Sequence, residues 1–91
     1  MYVRGTVLFT DASSLELSLF IQKKGRALSV DKYRFQYMDR QGHMIFRYDN
    51  APHHPDLTSF PHHKHISNRA ISATFKELSD ILEEISAIIL Q

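Results

Sequence analysis

Residues 33–49 read YRFQYMDRQGHMIFRYD, and the spacing of apolar residues in this segment indicates a β-hairpin. Aromatic residues occupy every second position of Tyr33–Met38. Met44–Asp49 repeats the alternation, which is the period of a strand with one buried face. Asp39–Gly42 lies between them and has the composition of a turn. We therefore predict two antiparallel strands whose aromatic side chains point into a core.

A second hairpin is predicted on the N-terminal side of this segment. Tyr2–Thr10 and Leu15–Gln22 each alternate apolar and polar residues and are separated by a short turn. His62–Ile66 has the length of a further short strand at the edge of the sheet, and the period of two would then place His63 and His65 on one face. The sheet is therefore predicted to have four to five antiparallel strands in two hairpins.

The C-terminal residues have the periodicity of an amphipathic helix. Apolar residues recur at spacings of three and four and form one stripe: Phe75, Leu78, Ile81, Leu82, Ile85, Ile88 and Ile89. Thr74–Glu77 matches a capping box with Thr74 as the N-cap. Because the stripe needs an apolar surface, we predict an α+β fold in which the helix packs on one face of the sheet, as a single domain over residues 1–91. One helix leaves the other face uncovered, which predicts a homodimer or an obligate partner.

The composition excludes several classes of protein. The net charge of +1 lacks the strong basic excess of many nucleic-acid-binding proteins, although charges can still be segregated by face. The absence of cysteine excludes disulfides and thiolate metal sites and fits a reducing compartment. No apolar stretch approaches the roughly 20 residues of a membrane span. We therefore expect a cytoplasmic protein that does not enter a membrane.

Histidine is concentrated in residues 53–65. This segment contains five of the six histidines, which are His53, His54, His62, His63 and His65. Imidazole is the side chain whose ordinary pKa, about 6.5, lets it donate, accept or coordinate near neutral pH. Three prolines lie in or beside the segment, and proline disfavours the helical region for the residue before it. We therefore expect Ala51, His54 and Phe60 to be extended.

Three interpretations of the histidine segment are open. In the first, it binds zinc or nickel, and the candidate ligands are His53, His54, His62, His63, His65, Asp49 and Asp56. In the second, two histidines act as acid and base on a phosphodiester, while Arg34, Arg47 and Lys64 neutralise charge on the phosphoryl oxygens. In the third, the rings only form hydrogen bonds to the backbone of an irregular loop.

Four short motifs follow one another along the chain: Tyr33–Asp39, Met44–Asn50, Ala51–His54 and Phe60–His65. In this order they resemble the TumE-type toxin family of prokaryotic toxin–antitoxin systems. The resemblance extends over nearly the whole chain, including the opening hairpin, where the family more often has glycine at the position of Ala12. It implies a toxin whose partner is a cognate antitoxin, typically a small helix-turn-helix protein. Toxins of similar size often cut RNA, so analogy favours the phosphodiester interpretation.

We therefore predict a small histidine-dependent ribonuclease that needs no metal or other cofactor. The residues assigned to proton transfer are His62, His63 and His65, with His53 and His54 assisting. The residues assigned to phosphate are Arg34, Arg47 and Lys64. Asp49 is expected to orient a ring and Asn50 to hold the loop. The alternative is a module that binds a metal or a partner without catalysis.

Overall fold

The computed structural model describes all 91 residues and contains six strands and one helix. The elements are β1 (Tyr2–Leu8), β2 (Ser14–Lys24), β3 (Ala27–Met38), β4 (Met44–Asp49), β5 (His63–Ile66), β6 (Arg69–Ser72) and α1 (Leu78–Ile89). Each strand pairs antiparallel with the next along the chain, so the sheet order is β1-β2-β3-β4-β5-β6. The α+β architecture with a C-terminal helix on the sheet is confirmed.

The predicted number of strands, four to five, is wrong because β6 was missed. Its four residues carry little alternation of their own, and their extended conformation depends on pairing with β5. Ser67, with a φ of 54°, forms the turn that returns the chain to this pairing. β5 is therefore an interior strand, and its histidines lie between β4 and β6 instead of at the edge of the sheet.

The core lies between the sheet and α1. Its buried side chains are Leu15, Tyr33, Phe35, Tyr37, Phe46, Tyr48, Ile81 and Ile85. The aromatic members alternate along β3 and β4, which confirms the predicted hairpin. Neighbouring rings such as Phe46 and Tyr48 pack edge to face, with centroids 5.4 Å apart, a favourable arrangement for aromatic pairs.

α1 begins later than the predicted capping box indicates. Its N-cap is Glu77 instead of Thr74, and the backbone N–H of Glu77 donates to the carboxylate of Asp80 at 2.9 Å. Phe75 precedes the helix and packs edge to face against Tyr33. The acidic first turn suits the positive end of the helix dipole. α1 has 12 residues, and no helix in the protein is long and apolar enough to cross a membrane.

The sheet has one face covered by α1 and a second face that we call the open face. Directly paired residues project to the same side of a sheet. The registers therefore form two rows across the open face, the first being Arg4, Ser18, Arg34, Asp49, His63 and Ser72, and the second Thr6, Glu16, Gln36, Arg47, His65 and Ala70. Charged residues and histidines from distant parts of the chain thus become neighbours on one surface.

Candidate functional site

Three histidine rings meet on the open face beside the β4–β5 pairing. His63 and His65 project from β5 on the same side, as the period of two predicts, and their ring centroids are 4.7 Å apart. His54 comes from the loop between β4 and β5, with its centroid 5.3 Å from that of His63 and 5.7 Å from that of His65. One nitrogen from each ring lies within 4.8 Å of the other two. We call these residues the three-histidine cluster.

The backbone of His54 differs from the sequence-based prediction. We expected an extended conformation before Pro55, but the φ of His54 is 59°, in the left-handed region. Proline disfavours the right-handed helical region for the residue before it, and the left-handed conformation of His54 lies outside that region. A turn in which the N–H of Leu57 donates to the carbonyl of His54 at 3.1 Å accompanies the observed conformation. A non-glycine residue with positive φ is uncommon, and the conformation turns His54 toward the cluster.

Asp49 is the buried carboxylate at the base of the cluster. Its Oδ1 lies 2.9 Å from Nε2 of His63, and its Oδ2 lies 3.4 Å from Nε2 of His65. Oδ1 also accepts the backbone N–H of Ala51 at 3.0 Å, and Oδ2 accepts Nε–H of Arg47 at 3.1 Å. One carboxylate therefore links two rings, an arginine and the start of the loop.

His63 is fully buried and both of its ring nitrogens face polar atoms. Nδ1 lies 2.9 Å from the carbonyl oxygen of Pro61. Because a carbonyl oxygen can only accept, Nδ1 must carry a hydrogen for this bond to form. Nε2 is then the nitrogen directed at Asp49 and the rest of the cluster. The ring of His63 is therefore fixed in orientation by contacts at both ends.

His65 is partly exposed, and its surroundings disfavour a charged ring. Burial, and then the positive charge of Arg47, lower the pKa of His65 below its ordinary value of 6.5, although Asp49 opposes the shift. The ring is therefore neutral at pH 7. A neutral imidazole has a free lone pair, so it can accept a proton or coordinate a metal ion.

A groove of about 1010 Å³ crosses the open face from the cluster toward β1. Arg34 and Arg47 lie along it, and the exposed His53 lines it without joining the three rings. Arg34 stands in the same cross-sheet row as Asp49 and donates to the side chain of Gln36 at 2.7 Å. The rings of Tyr2 and Phe20 line the distant part of the groove.

Lys64 is not brought to the cluster. It alternates with His63 and His65 along β5, so its side chain points to the face covered by α1. There its Nζ lies 2.8 Å from Glu84 Oε2 and 4.9 Å from the ring centroid of Tyr48. The period of two along a strand is sufficient to predict this separation, although Lys64 lies between the two histidines in the chain.

His62 is also separated from the three-histidine cluster. Its ring stacks on Tyr33 with a centroid distance of 5.8 Å, and its Nδ1 is hydrogen-bonded to the Tyr33 hydroxyl at 2.8 Å. Phe75 packs against the same ring from the segment before α1. Burial, and then the charge of Asp49, raise the pKa of Tyr33 to about 12, so the hydroxyl stays protonated near neutral pH. His62 thus belongs to an aromatic contact that supports the loop.

Asn50 joins the start of the β4–β5 loop to β3. Its side-chain oxygen accepts the backbone N–H of Tyr33 at 3.0 Å, and its side-chain nitrogen donates to the carbonyl of Asp31 at 2.9 Å. These hydrogen bonds saturate two backbone groups of β3 and fix the direction in which the chain leaves β4. The loop therefore starts from a rigid point beside Asp49.

Two contacts at the end of the loop were not predicted from the sequence. The hydroxyl of Ser59 donates to the carbonyl of His62 and accepts the backbone N–H of Ala73 at 3.0 Å. The carbonyl of Pro61 holds the ring of His63. Neither a single serine nor a backbone carbonyl has a sequence pattern that predicts its contacts. The one signal for the contact between Pro61 and His63 is that the two residues are two positions apart.

The site therefore combines three imidazoles, one buried carboxylate and two arginines beside an open groove. Imidazoles supply proton transfer or metal coordination, and arginines supply binding of anionic oxygens. A chemistry that uses both groups is the cleavage of a phosphate ester. The same nitrogen and oxygen atoms also form a ligand set for a metal ion.

The family model of toxin TumE matches residues 1–90 of the 91-residue chain. No curated protein and no solved structure matches the chain. The match includes all six strands, α1 and every residue of the three-histidine cluster. A toxin of this kind has an antitoxin as its expected partner. The motifs and the family match agree, and the chain belongs to the toxin TumE family.

Proposed function

We propose that this toxin cleaves RNA phosphodiester bonds by proton transfer at the three-histidine cluster, in the cytoplasm, and that a small helix-turn-helix antitoxin neutralises it. The convergence of three imidazoles carries the proposal: His54 meets His63 and His65, and the latter two line the open groove together with Arg47. Three imidazoles at this separation allow one ring to accept a proton while another donates one, which is the requirement of metal-free phosphodiester cleavage.

The proposed reaction uses the 2′-hydroxyl of RNA as its nucleophile. His65 accepts the proton of the 2′-hydroxyl, and the 2′-oxygen attacks the adjacent phosphorus. The bond from phosphorus to the 5′-oxygen breaks, and His54 donates a proton to that leaving oxygen. The products are a 2′,3′-cyclic phosphate and a free 5′-hydroxyl. Because DNA lacks the 2′-hydroxyl, this reaction is specific for RNA.

The assignment of the two reacting rings follows from exposure and contacts. His65 is partly exposed and neutral, so its lone pair is available to a substrate in the groove. His54 is exposed on the loop at the solvent side of the cluster. His63 is held at both nitrogens by Pro61 and Asp49, and it therefore positions the other two rings in this proposal.

The arginines of the groove are proposed to bind the scissile phosphate. Nε of Arg47 is committed to Asp49, which leaves its two terminal nitrogens for phosphoryl oxygens. Arg34 is exposed on the neighbouring strand of the same face and supplies a second cation. Fixed donors of this kind stabilise the charge that develops on the phosphoryl oxygens in the transition state.

The test is cleavage of a fluorescent single-stranded RNA by the purified full chain in EDTA. We expect products with 2′,3′-cyclic phosphate ends, and no cleavage where the substrate carries a 2′-deoxy substitution at the cleaved position. His65→Asn should lower the rate by a factor of about 10² or more. His43→Asn is the matched control, since His43 lies in the β3–β4 turn outside the groove, with 80% of its side chain exposed.

Two results would contradict the proposal. One is the absence of RNA cleavage by the parent protein under all conditions tested. The other is equal cleavage by the parent protein and by His65→Asn, with circular dichroism showing that both proteins are folded. Growth arrest on expression of the parent protein, abolished in His65→Asn and retained in His43→Asn, would link the chemistry to the toxin role.

A further inference from the structure

The three-histidine cluster and Asp49 together have the composition of a transition-metal site. Each of His54, His63 and His65 offers one nitrogen, and these atoms lie within 4.8 Å of one another. A carboxylate oxygen of Asp49 supplies a fourth donor at the same point. Three imidazole nitrogens and one carboxylate oxygen suit a tetrahedral ion of the zinc type.

Each carboxylate oxygen of Asp49 lies at a distance from one of the two strand histidines that is near the ligand spacing of a tetrahedral site. Ligand bonds of about 2.0–2.1 Å at tetrahedral angles place neighbouring ligand atoms about 3.4 Å apart. The separation from Oδ1 to His63 Nε2 is 2.9 Å, and that from Oδ2 to His65 Nε2 is 3.4 Å. The three ring nitrogens lie within 4.8 Å of one another and have to approach further, and His54 can move toward the other two because it is exposed on a loop.

The surroundings of the donors are also those of a metal site. Metal-binding histidines usually donate the hydrogen of the other ring nitrogen to a carbonyl or carboxylate, which orients the ring. Nδ1 of His63 makes this contact with the carbonyl of Pro61 and thereby directs Nε2 inward. The backbone N–H of Ala51 holds Asp49 in the same way.

We propose that the three-histidine cluster and Asp49 bind one divalent transition-metal ion, with Zn²⁺ as the best-fitting ion, and that the bound ion inhibits RNA cleavage. The binding site rests on geometry alone, whereas the inhibition rests on the proposed ribonuclease function. An ion on the cluster occupies the lone pairs of His54 and His65. These rings can then neither accept nor donate the protons of the cleavage reaction.

Arg47 is the group that opposes metal binding. Its Nε lies 3.1 Å from Oδ2 of Asp49, so its positive charge faces the position of the ion. Replacement of Arg47 by glutamine should strengthen metal binding because the like charge is removed. The same replacement should weaken RNA cleavage because a phosphate contact is removed. The two proposals therefore predict opposite effects of one substitution.

The experiment titrates the untagged full chain, first freed of metal with EDTA, with Co²⁺ followed by visible absorption and with Zn²⁺ followed by calorimetry. We expect one ion per chain and the strong visible bands of tetrahedral Co²⁺. His54→Ala and His65→Ala should each weaken binding by about 10-fold or more, and His43→Ala should leave it unchanged. Arg47→Gln should bind Co²⁺ about 3-fold more tightly or better.

Several outcomes would overturn the proposal. Absence of binding, or equal binding by the parent, His54→Ala and His65→Ala proteins, would remove the metal site. Unchanged or weaker binding by Arg47→Gln would contradict the position of the ion beside Arg47. An increase of RNA cleavage by Zn²⁺ would contradict both the proposed inhibition by the bound ion and the metal-free cleavage reaction. The metal-binding site itself would still be supported. Metal binding without RNA cleavage under any condition would support the site and contradict the ribonuclease function together with the inhibition that rests on it.

Discussion

Asp49 and His63 are direct cross-strand partners on β4 and β5, and their buried side chains lie 2.9 Å apart from Oδ1 to Nε2. The pairing of the two strands thus brings a carboxylate and an imidazole together without water between them. Burial of polar groups is costly unless they are paired. The contact therefore stabilises the β4–β5 pairing and also fixes the base of the three-histidine cluster.

Removal of the Asp49 carboxylate should destabilise the protein. Asp49→Ala leaves the buried Nε2 of His63 without its partner, and we expect a loss of about 2–3 kcal/mol in the free energy of unfolding. Asp49→Asn should cost about 1 kcal/mol, because its amide oxygen can still accept a hydrogen bond from Nε2. Urea unfolding measures both values. Asp56→Ala in the exposed part of the loop is the control, and an equal loss in Asp49→Ala and Asp56→Ala would contradict the role of the buried pair.

Replacement of Ala12 by glycine should stabilise the first hairpin. Ala12 has a φ of 71°, in the left-handed region, where a Cβ atom costs roughly 1–2 kcal/mol. Glycine removes this strain but loses more entropy on folding, so the expected gain is about 0.5–1 kcal/mol. A gain of this size raises the Tm by several degrees in a domain of this length.

Ala87→Gly provides the matched control for Ala12→Gly. Ala87 is exposed within α1, where glycine is less favourable than alanine by about 1 kcal/mol. The same exchange should therefore have opposite effects at the two positions. A lower Tm for both variants would show that the backbone strain at Ala12 is negligible.

Lys64 should contribute stability that disappears at alkaline pH. Burial alone would lower the pKa of Lys64, but its hydrogen bonds to Glu84 and Tyr48 outweigh burial and raise the pKa above the ordinary value of 10.5. A cation whose pKa is higher in the folded state stabilises the fold fully below its unfolded-state pKa. That stability is lost as the pH rises through the pKa of the folded state.

Lys64→Met tests this dependence while it keeps the apolar part of the side chain in contact with the aromatic rings. We expect the parent protein to be more stable than Lys64→Met by about 1 kcal/mol near pH 8, with the difference shrinking above about pH 10.5. Guanidinium unfolding between pH 8 and 11 measures it. Lys24→Met is the control. The side chain of Lys24 is exposed, and its distance of 3.6 Å from Asp31 is longer than the 2.8 Å between Lys64 and Glu84. A difference that does not depend on pH would contradict the ion pair with Glu84.

Arg34 and Arg47 should each contribute to the salt dependence of RNA binding. If each cation contacts one phosphate, its removal should reduce the slope of log affinity against log salt by about 0.7 for single-stranded RNA. Filter binding of a 2′-deoxy or otherwise uncleavable oligonucleotide to Arg34→Gln and Arg47→Gln measures the slope. Arg40→Gln, in the exposed β3–β4 turn, should retain the parental slope. Identical slopes in all four proteins would place the RNA elsewhere.

The strand faces were predictable because side-chain alternation is a local property. The buried positions Tyr33, Phe35 and Tyr37 and the shared face of His63 and His65 all follow from a period of two. β6 was not predictable in the same way, because its residues become a strand only through pairing with β5. The N-cap was misplaced for a related reason, since Thr74–Glu77 and Glu77–Asp80 both resemble capping boxes and tertiary packing selects between them.

The amino-acid sequence was enough to identify the α+β fold, the toxin TumE family and the segment that carries the histidines, because these depend on local periodicity and on the order of short motifs. The division of the histidines was decided by the folded chain. His54 joins His63 and His65 through a left-handed turn in the loop, whereas His62 packs against Tyr33. Strand register and loop path arise from contacts between residues distant in the chain, and no local pattern of side chains specifies them.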